Sequence, residues 1–346
     1  MSIFTCPLPL PARDRILLGH GSGGKLSAEL MRDIFLPALS NPMLDRLDDQ
    51  AVFAAGGVRL AMTTDSFVVK PLFFRGGDIG SLAVHGTVND LAMGGATPLY
   101  LSAAFILEEG LAMDTLRRVT ESLARAAREA GVRVITGDTK VVEKGSGDGL
   151  FINTTGIGLV PERVELSADR AKPGDAVILS GSIGEHGIAI LAEREGLEFE
   201  TPVGSDSAAL HTLVAEMLAA ARGIRCLRDP TRGGVSSTMN EIARQSKVSI
   251  RIEERAITVR PEVQGACELL GLDPLYVANE GKLIAIVDPA QAEAVVSAMR
   301  RHPLGEGAGI IGSVGDGPPG LVTIRTALGT VRIVDMLSGD QLPRIC

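Results

Sequence analysis

The sequence predicts an α/β or α+β protein of two domains followed by a short tail. Apolar runs of strand length alternate with segments of helical period along most of the chain, the pattern of sheets covered by helices. That alternation breaks over residues 161–175, which open on Pro161 and close on the turn Pro173-Gly174-Asp175. With 346 residues, 45% of them hydrophobic and 22% charged, the chain has enough apolar surface for two cores. The expected division is residues 1–165, residues 166–335 and a mobile tail over 336–346.

In chain order, Ile16-Leu17-Leu18 leads into the glycine-rich Gly19-His20-Gly21-Ser22-Gly23-Gly24-Lys25 and a helical pattern over 26–34. Apolar runs at 51–55 and 58–64, joined by Gly56-Gly57, predict a hairpin. A helix is expected over 79–92 and a buried strand over 99–107. Asp114 is expected to cap a helix whose Leu116, Val119, Leu123, Ala126, Ala127 and Ala130 form one apolar face, stopped by Gly131. Strands follow at 132–136 and 151–160. Past the break, strands are expected at 176–180, 248–252, 283–287 and 330–334, with helices around 186–195 and 207–222 and another ending at Gln245.

Composition narrows the function classes. A net charge of −8 without a basic cluster excludes nucleic acid and anionic membrane as expected partners. The scarcity of rings, with 9 Phe, 2 Tyr and no Trp, argues against a base-stacking platform. No apolar run approaches a membrane span, and residues 1–14, punctuated by Pro7, Pro9 and Pro11, lack a secretion leader, so a cytoplasmic location is expected. Cys6, Cys226, Cys267 and Cys346 are widely separated, which suggests neither a zinc site nor a disulfide framework.

The chemistry-bearing residues fall in three groups. A glycine-rich bend before a helix exposes backbone N–H groups that can hold phosphate oxygens, and Gly21, Ser22, Gly23, Gly24 and Lys25 form such a bend. It is not a P-loop, because Leu26 stands where that motif needs a hydroxyl for Mg²⁺. The second group is acidic: Asp49, Asp65, Asp90 and Asp138 are each placed at the end of an apolar element. Gathered carboxylates repel one another unless a cation is present, and Mg²⁺ bridging them to nucleotide phosphates is the commonest reason to gather them. Asp229-Pro230-Thr231-Arg232-Gly233-Gly234, ahead of a helix, reads as a further functional loop. The third is the terminal Pro343-Arg344-Ile345-Cys346, a thiol at the end of a turn-rich segment that, fully extended, reaches about 35 Å beyond Asp335. The adjoining α-carboxylate is expected to raise the thiol pKa, which suits a sulfur modified by a partner better than a self-activated nucleophile.

The segment Asp90-Leu91-Ala92-Met93-Gly94-Gly95-Ala96-Thr97-Pro98 resembles the ATP-binding signature of the superfamily of aminoimidazole ribonucleotide synthetase, selenophosphate synthetase and thiamine-monophosphate kinase. Together with Val88-Asn89-Asp90, residues 135–142, the loop 229–234, Asn279-Glu280-Gly281-Lys282 and the terminal tetrapeptide, the chain from about Leu18 to Cys346 resembles the HypE family of hydrogenase maturation factors. The resemblance implies two domains of the aminoimidazole ribonucleotide synthetase-like fold, with strands of the first forming a homodimer interface, and ATP and Mg²⁺ as cofactors. It also implies that the terminal cysteine accepts a carbamoyl group from the carbamoyltransferase HypF. ATP-dependent dehydration then gives a thiocyanate, whose cyanide passes through a HypC–HypD pair to the iron of a [NiFe]-hydrogenase.

On that reading Asp49, Asp65, Asp90, Asp138 and Asp229 hold Mg²⁺, and the loop 21–25 with Asp65, Asn89, Asp90 and Asp138 holds the nucleotide. Lys25 or Lys140 neutralises phosphate charge, Glu280 is the leading base with His85 the second, and Cys346 carries the substrate. A selenophosphate synthetase is expected to carry a reactive Cys in the glycine-rich loop, where this chain has Ser22 and Gly24. A thiamine-monophosphate kinase leaves the thiol tail unexplained.

Overall fold

A computed structural model describes residues 15–197, 202–339, 342 and 344–346. Cys6 and Pro343 lie outside the described residues. The glycine-rich stretch forms a 3-10 turn, Leu18–Gly21, then α1 (Lys25–Leu30), a π turn (Met31–Phe35) and α2 (Leu36–Leu39), none of whose helical residues beyond Gly19 is buried. Next come β1 (Ala51–Ala55) and β2 (Val58–Phe67), paired antiparallel around Gly56 and Gly57, both at positive φ as a tight hairpin turn requires. A small hairpin of β3 (Phe73–Phe74) and β4 (Gly77–Asp78) ends on Asp78, whose carboxylate accepts from the N–H groups of Gly80 and Ser81 and starts α3 (Ile79–Met93). Then follow β5 (Thr97–Glu108), α4 (Met113–Glu129), β6 (Arg133–Val142) and β7 (Leu150–Leu159).

Two expectations change here. Helix α4 has Ala112 at its N-cap, and Asp114 sits in its first turn with Arg117 3.5 Å away, so the aspartate meets the helix as a charge and not as a cap. Strand β6 extends to Val142, so Asp138 and Lys140 lie within it and not beyond its end.

The second half continues with β8 (Ala176–Leu179), α5 (Glu185–Glu195), α6 (His211–Ala220), β9 (Ile224–Arg228), α7 (Gly234–Gln245) and β10 (Ser249–Glu253). It ends with α8 (Pro261–Leu270), β11 (Ile284–Val287), α9 (Ala292–Arg301), β12 (Gly309–Gly315), β13 (Val322–Arg325) and β14 (Val331–Ile333). Among the described residues the larger sheets are ordered β1-β2-β7-β5-β6 and β14-β13-β10-β12-β8-β11-β9. Both are mixed: β5–β6 and β10–β13 run parallel, the other pairs antiparallel.

Helix α3 joins the two halves. Twelve of its 15 residues are buried, so it is covered on nearly every side. Leu82 and Val88 pack into the first core with Phe67, Leu101, Val119 and Ile152. Leu91 and Met93 join Ile178, Leu213, Met217 and Val287 of the second half. Leu91 is fully buried and abuts Gly156 of β7, where any Cβ would sit 2.9 Å from its methyl group. Leu91→Ala should therefore cost about 3 kcal/mol by leaving a cavity at the seam, read from the urea midpoint of a single transition. The opposite face of the first sheet leaves Met62, Tyr100, Ile106 and Ile157 exposed.

Candidate active site

The tail reaches the site by running back over the glycine-rich loop. The Ser236 hydroxyl donates to Asp335 O at 2.6 Å, the Lys25 amide to Leu337 O at 2.9 Å and the Ser22 hydroxyl to Gly339 O at 3.0 Å. Gly24 is required there, since a Cβ would lie 2.3 Å from Leu337 O. The last residues then lie beside the end of β2: the amide of Lys70 donates to Arg344 O at 3.2 Å and that of Val68 to Cys346 O at 2.9 Å. The expected thiol-bearing end is thus docked inward, with Cys346 partly buried in the wall of a cavity of about 630 Å³.

Both halves build that cavity. Asp49 precedes β1, Asp65 lies on β2 and Asp90 on α3, while Arg228 and Asp229 end β9, Arg232 precedes α7 and Glu280 precedes β11. Asp49 pairs with Arg228 at 2.9 Å, and Arg228 also meets Glu241 at 2.7 Å. Thr63 has one hydroxyl proton but contacts both Asp49 O at 2.9 Å and an Asp90 carboxyl oxygen at 2.7 Å. Thr63 thereby ties the Asp90 carboxyl on α3 to the backbone just before β1.

Burial pushes Asp90 well above the usual carboxylate range, and Asp65, Asp229 and Asp49 push it further. Burial likewise raises Asp49 well above that range against the pull of Arg228, raises Asp65 against Arg232, and lifts Asp229 to about 6. Carboxyl groups gathered out of water in this way favour an arriving cation.

Glu280 is fixed from behind. Its N–H donates to Asp206 at 3.0 Å, its carbonyl accepts from Asn89 at 3.1 Å, and neighbouring Gly281 has no room for a side chain against Asp206 O. Only its carboxyl end is left over: Glu280 Oε1 is buried with no hydrogen-bond partner. Burial raises its pKa well above the usual range, with Asp229, Asp206 and Asp65 adding and Arg232 opposing. The Cys346 thiol is pushed up to about 12, first by burial, with Arg232 opposing and Glu280 and Asp65 adding. Burial is thus the leading cause of the raised thiol, ahead of the terminal carboxylate to which the sequence points.

Several expected residues stand elsewhere. Side chains alternate along a strand. Asp65 is in register with Thr154 and Ala103, which pair with Gly137, so Asp138 one residue on faces the opposite, open side of the sheet. Asp138 and Lys140 pair there with each other at 2.8 Å, both exposed, and line no part of the cavity. His85 is lowered to about 4 by burial and meets Ser207 at 2.9 Å, outside the cavity wall. Asn89 spends its amide on Ala208 O, Glu280 O and the Leu210 N–H, so it supports Glu280 and lines no part of the cavity. Lys25 pairs with Asp335 at 2.5 Å. Gly23 lines the main cavity, and Gly21 and Ser22 line a smaller one of about 140 Å³ that also touches Arg232 and Cys346.

Among the described residues no three His, Cys, Asp or Glu groups sit close enough to hold an ion unaided. The donors still suit a hard cation. Asp49 Oδ2 is buried without a hydrogen-bond partner, and Asp65, Asp90 and Asp229 line the same cavity, so phosphate or water oxygens would complete the shell.

Residues 47–160 match the family described as AIR synthase related protein, N-terminal domain, and residues 172–324 match its C-terminal domain. The chain is 59% identical over 333 residues to the carbamoyl dehydratase HypE of Cupriavidus necator, covering 96% of this chain and 95% of that one. The chain belongs to the HypE family. Among solved structures it resembles HypE in a HypE–HypF complex, with TM-score 0.85, 49% identity and coverage of 89% of this chain and 99% of that one. It also resembles HypE bound to ATP, with TM-score 0.81, 52% identity and coverage of 96% and 100%.

In this HypE-family chain two arginines matter that the sequence leaves without a role. Arg228 pairs with Asp49 and with Glu241. Arg232 donates to Gly21 O at 3.3 Å, makes no direct ion pair among the described residues, and has Cys346 as the largest influence on its charge, with Asp65 and Glu280 behind. Its place in the loop 229–234 was the available clue.

Proposed function

We propose that this chain dehydrates an S-carbamoyl group carried on its own Cys346, using ATP, and yields an S-cyano group for hydrogenase iron maturation. The observation that carries the reading is the inward-docked Cys346 beside Glu280 and Arg232 in a carboxylate-lined cavity. It is supported by relatives named carbamoyl dehydratase HypE and by a HypE solved with ATP. The selenophosphate synthetase and thiamine-monophosphate kinase readings give the docked thiol no role.

The carbamoyl oxygen is a poor leaving group, so it attacks the γ-phosphorus of ATP and ADP departs. The nitrogen then loses its protons, the C–O bond breaks, phosphate leaves and the C≡N bond forms. Per turnover, one carbamoyl group and ATP become one cyano group, ADP and phosphate. Glu280 accepts one proton from the nitrogen, its unpartnered Oε1 being the free acceptor, and the departing phosphate carries away the other. Arg232, with donors uncommitted to any carboxylate, holds the phosphorylated oxygen. Asp49, Asp65, Asp90 and Asp229 would hold Mg²⁺, which supplies charge neutralisation to the phosphates.

The reading extends to a cytoplasmic homodimer, closed through the apolar outer face of the first sheet where Asp138 and Lys140 stand. HypF is the carbamoyl donor, as the HypE–HypF complex of a relative suggests, and a HypC–HypD pair is the acceptor. The test is the intact mass of carbamoyl-loaded protein before and after ATP. The expected result is loss of one water from the C-terminal peptide; ATP hydrolysis without that loss sinks the proposal.

A further inference from the structure

The tail is held by its main chain. Three consecutive main-chain oxygens at the end of the chain each meet a donor. Arg344 O accepts from the Lys70 amide at 3.2 Å and from Arg194 Nη2 at 2.7 Å. Ile345 O meets His186 Nε2 at 2.9 Å, and Cys346 O accepts from the Val68 amide at 2.9 Å. A carbonyl can only accept, so His186 carries its proton on Nε2, and Nδ1 accepts from the Ser205 hydroxyl 2.8 Å away. Burial lowers the His186 pKa and keeps this neutral form.

The Arg344 side chain adds a second layer. Its Nε donates to Val68 O at 3.0 Å, its Nη1 pairs with Asp148, and the guanidinium lies 5.8 Å from the centre of the Phe151 ring. Asp148 also takes Lys70 Nζ at 3.1 Å, and both cations hold its carboxyl below the usual range. Arg194 Nε donates to Lys70 O at 2.9 Å, tying α5 to the same short stretch of chain.

We propose that Asp148, His186 and Arg194 are positioning residues that grip residues 344–346 and so fix where the Cys346 sulfur enters the cavity, whatever group it carries. The grips fall on main-chain oxygens and on Arg344, so loading the sulfur removes none of them. They also come from both halves of the molecule, Asp148 from the turn before β7 and the other two from α5. The tail therefore docks in register only where those halves already enclose the site. The inference rests on the reading that Cys346 carries the substrate; its first test does not.

That test is the rate at which N-ethylmaleimide alkylates Cys346 in the full-length protein at fixed pH, read from the mass of the C-terminal peptide. Asp148 and Arg194 are the residues to change, because His186 is fully buried and its replacement risks the fold. Asp148→Asn and Arg194→Gln should each raise the rate about tenfold, the scale of one charge-assisted hydrogen bond. Asp148→Glu should restore a rate near that of the parent. The double variant should open further and, once carbamoyl-loaded, lose water more slowly with an unchanged KM for ATP. Alkylation of the double variant within twofold of the parent overturns the proposal, as does slowed water loss without faster alkylation. If alkylation rises as expected while the parent itself loses no water, the grip stands and the dehydratase reading falls.

Discussion

In a Cys346→Ala chain, carbamoyl loading and ATP-dependent loss of water should both fall below detection while nucleotide binding persists. The other described cysteines cannot substitute. Cys226 and Cys267 are fully buried in the cores, whereas Cys346 is only partly buried, so neither is open to a partner. The carboxylates and arginines of the cavity do not depend on the sulfur, so ATP should bind as in the parent, measurable by calorimetry. The grips fall on main-chain oxygens and on Arg344, so the tail keeps its seat in Cys346→Ala; in a chain cut after residue 343, an S-carbamoyl peptide ending in Arg-Ile-Cys should restore some water loss in trans. A flexible tether presents its cargo at an effective concentration in the millimolar range, so roughly millimolar peptide should be needed. A Cys346→Ala chain that still accepts carbamoyl and releases water under ATP would remove the terminal thiol from the mechanism.

The sequence made the local elements legible and the assembly much less so. The hairpin over β1 and β2 and helix α3 follow from turn chemistry and apolar period, which are short-range properties. Strands β9, β12 and β13 and helices α8 and α9 escaped because they are short, and in β12 the glycines at 309, 312 and 315 interrupt the apolar run. Of the acidic residues, Asp49, Asp65, Asp90 and Asp229 converge on one cavity. Asp138 does not, because a strand two residues in period carries it to the other face, and that parity depends on where β6 begins. Asn89 looks like a ligand-facing residue in sequence, yet it is a strut between α3 and the loop that carries Glu280. The tail's length implied that its thiol had the reach to visit a site elsewhere. The partners that hold it, from Val68 to Arg194, are more than a hundred residues distant, and no local pattern announces them.

Glu280→Gln should bind ATP as the parent does and dehydrate at least about a hundredfold more slowly, the lower end of what a positioned base contributes. The substitution keeps shape and volume, and the backbone contacts to Asp206 and Asn89 remain, so the loop should stay in place. What disappears is the ability to take a proton. A base works unprotonated, and Glu280 is raised by burial and by Asp229, Asp206 and Asp65, with Arg232 opposing. The rate of water loss should therefore fall as pH drops through a value above the ordinary carboxylate range, and that acid limb should vanish from the residual activity of the variant. The amide also separates two roles that a carboxylate confounds: its carbonyl oxygen can still ligate a hard cation, but it cannot accept a proton from the carbamoyl nitrogen. Full affinity for Mg²⁺ and ATP with lost dehydration assigns the proton to Glu280; weakened nucleotide binding with proportionate loss of rate would instead make it a ligand, and parental activity would remove it from the chemistry altogether.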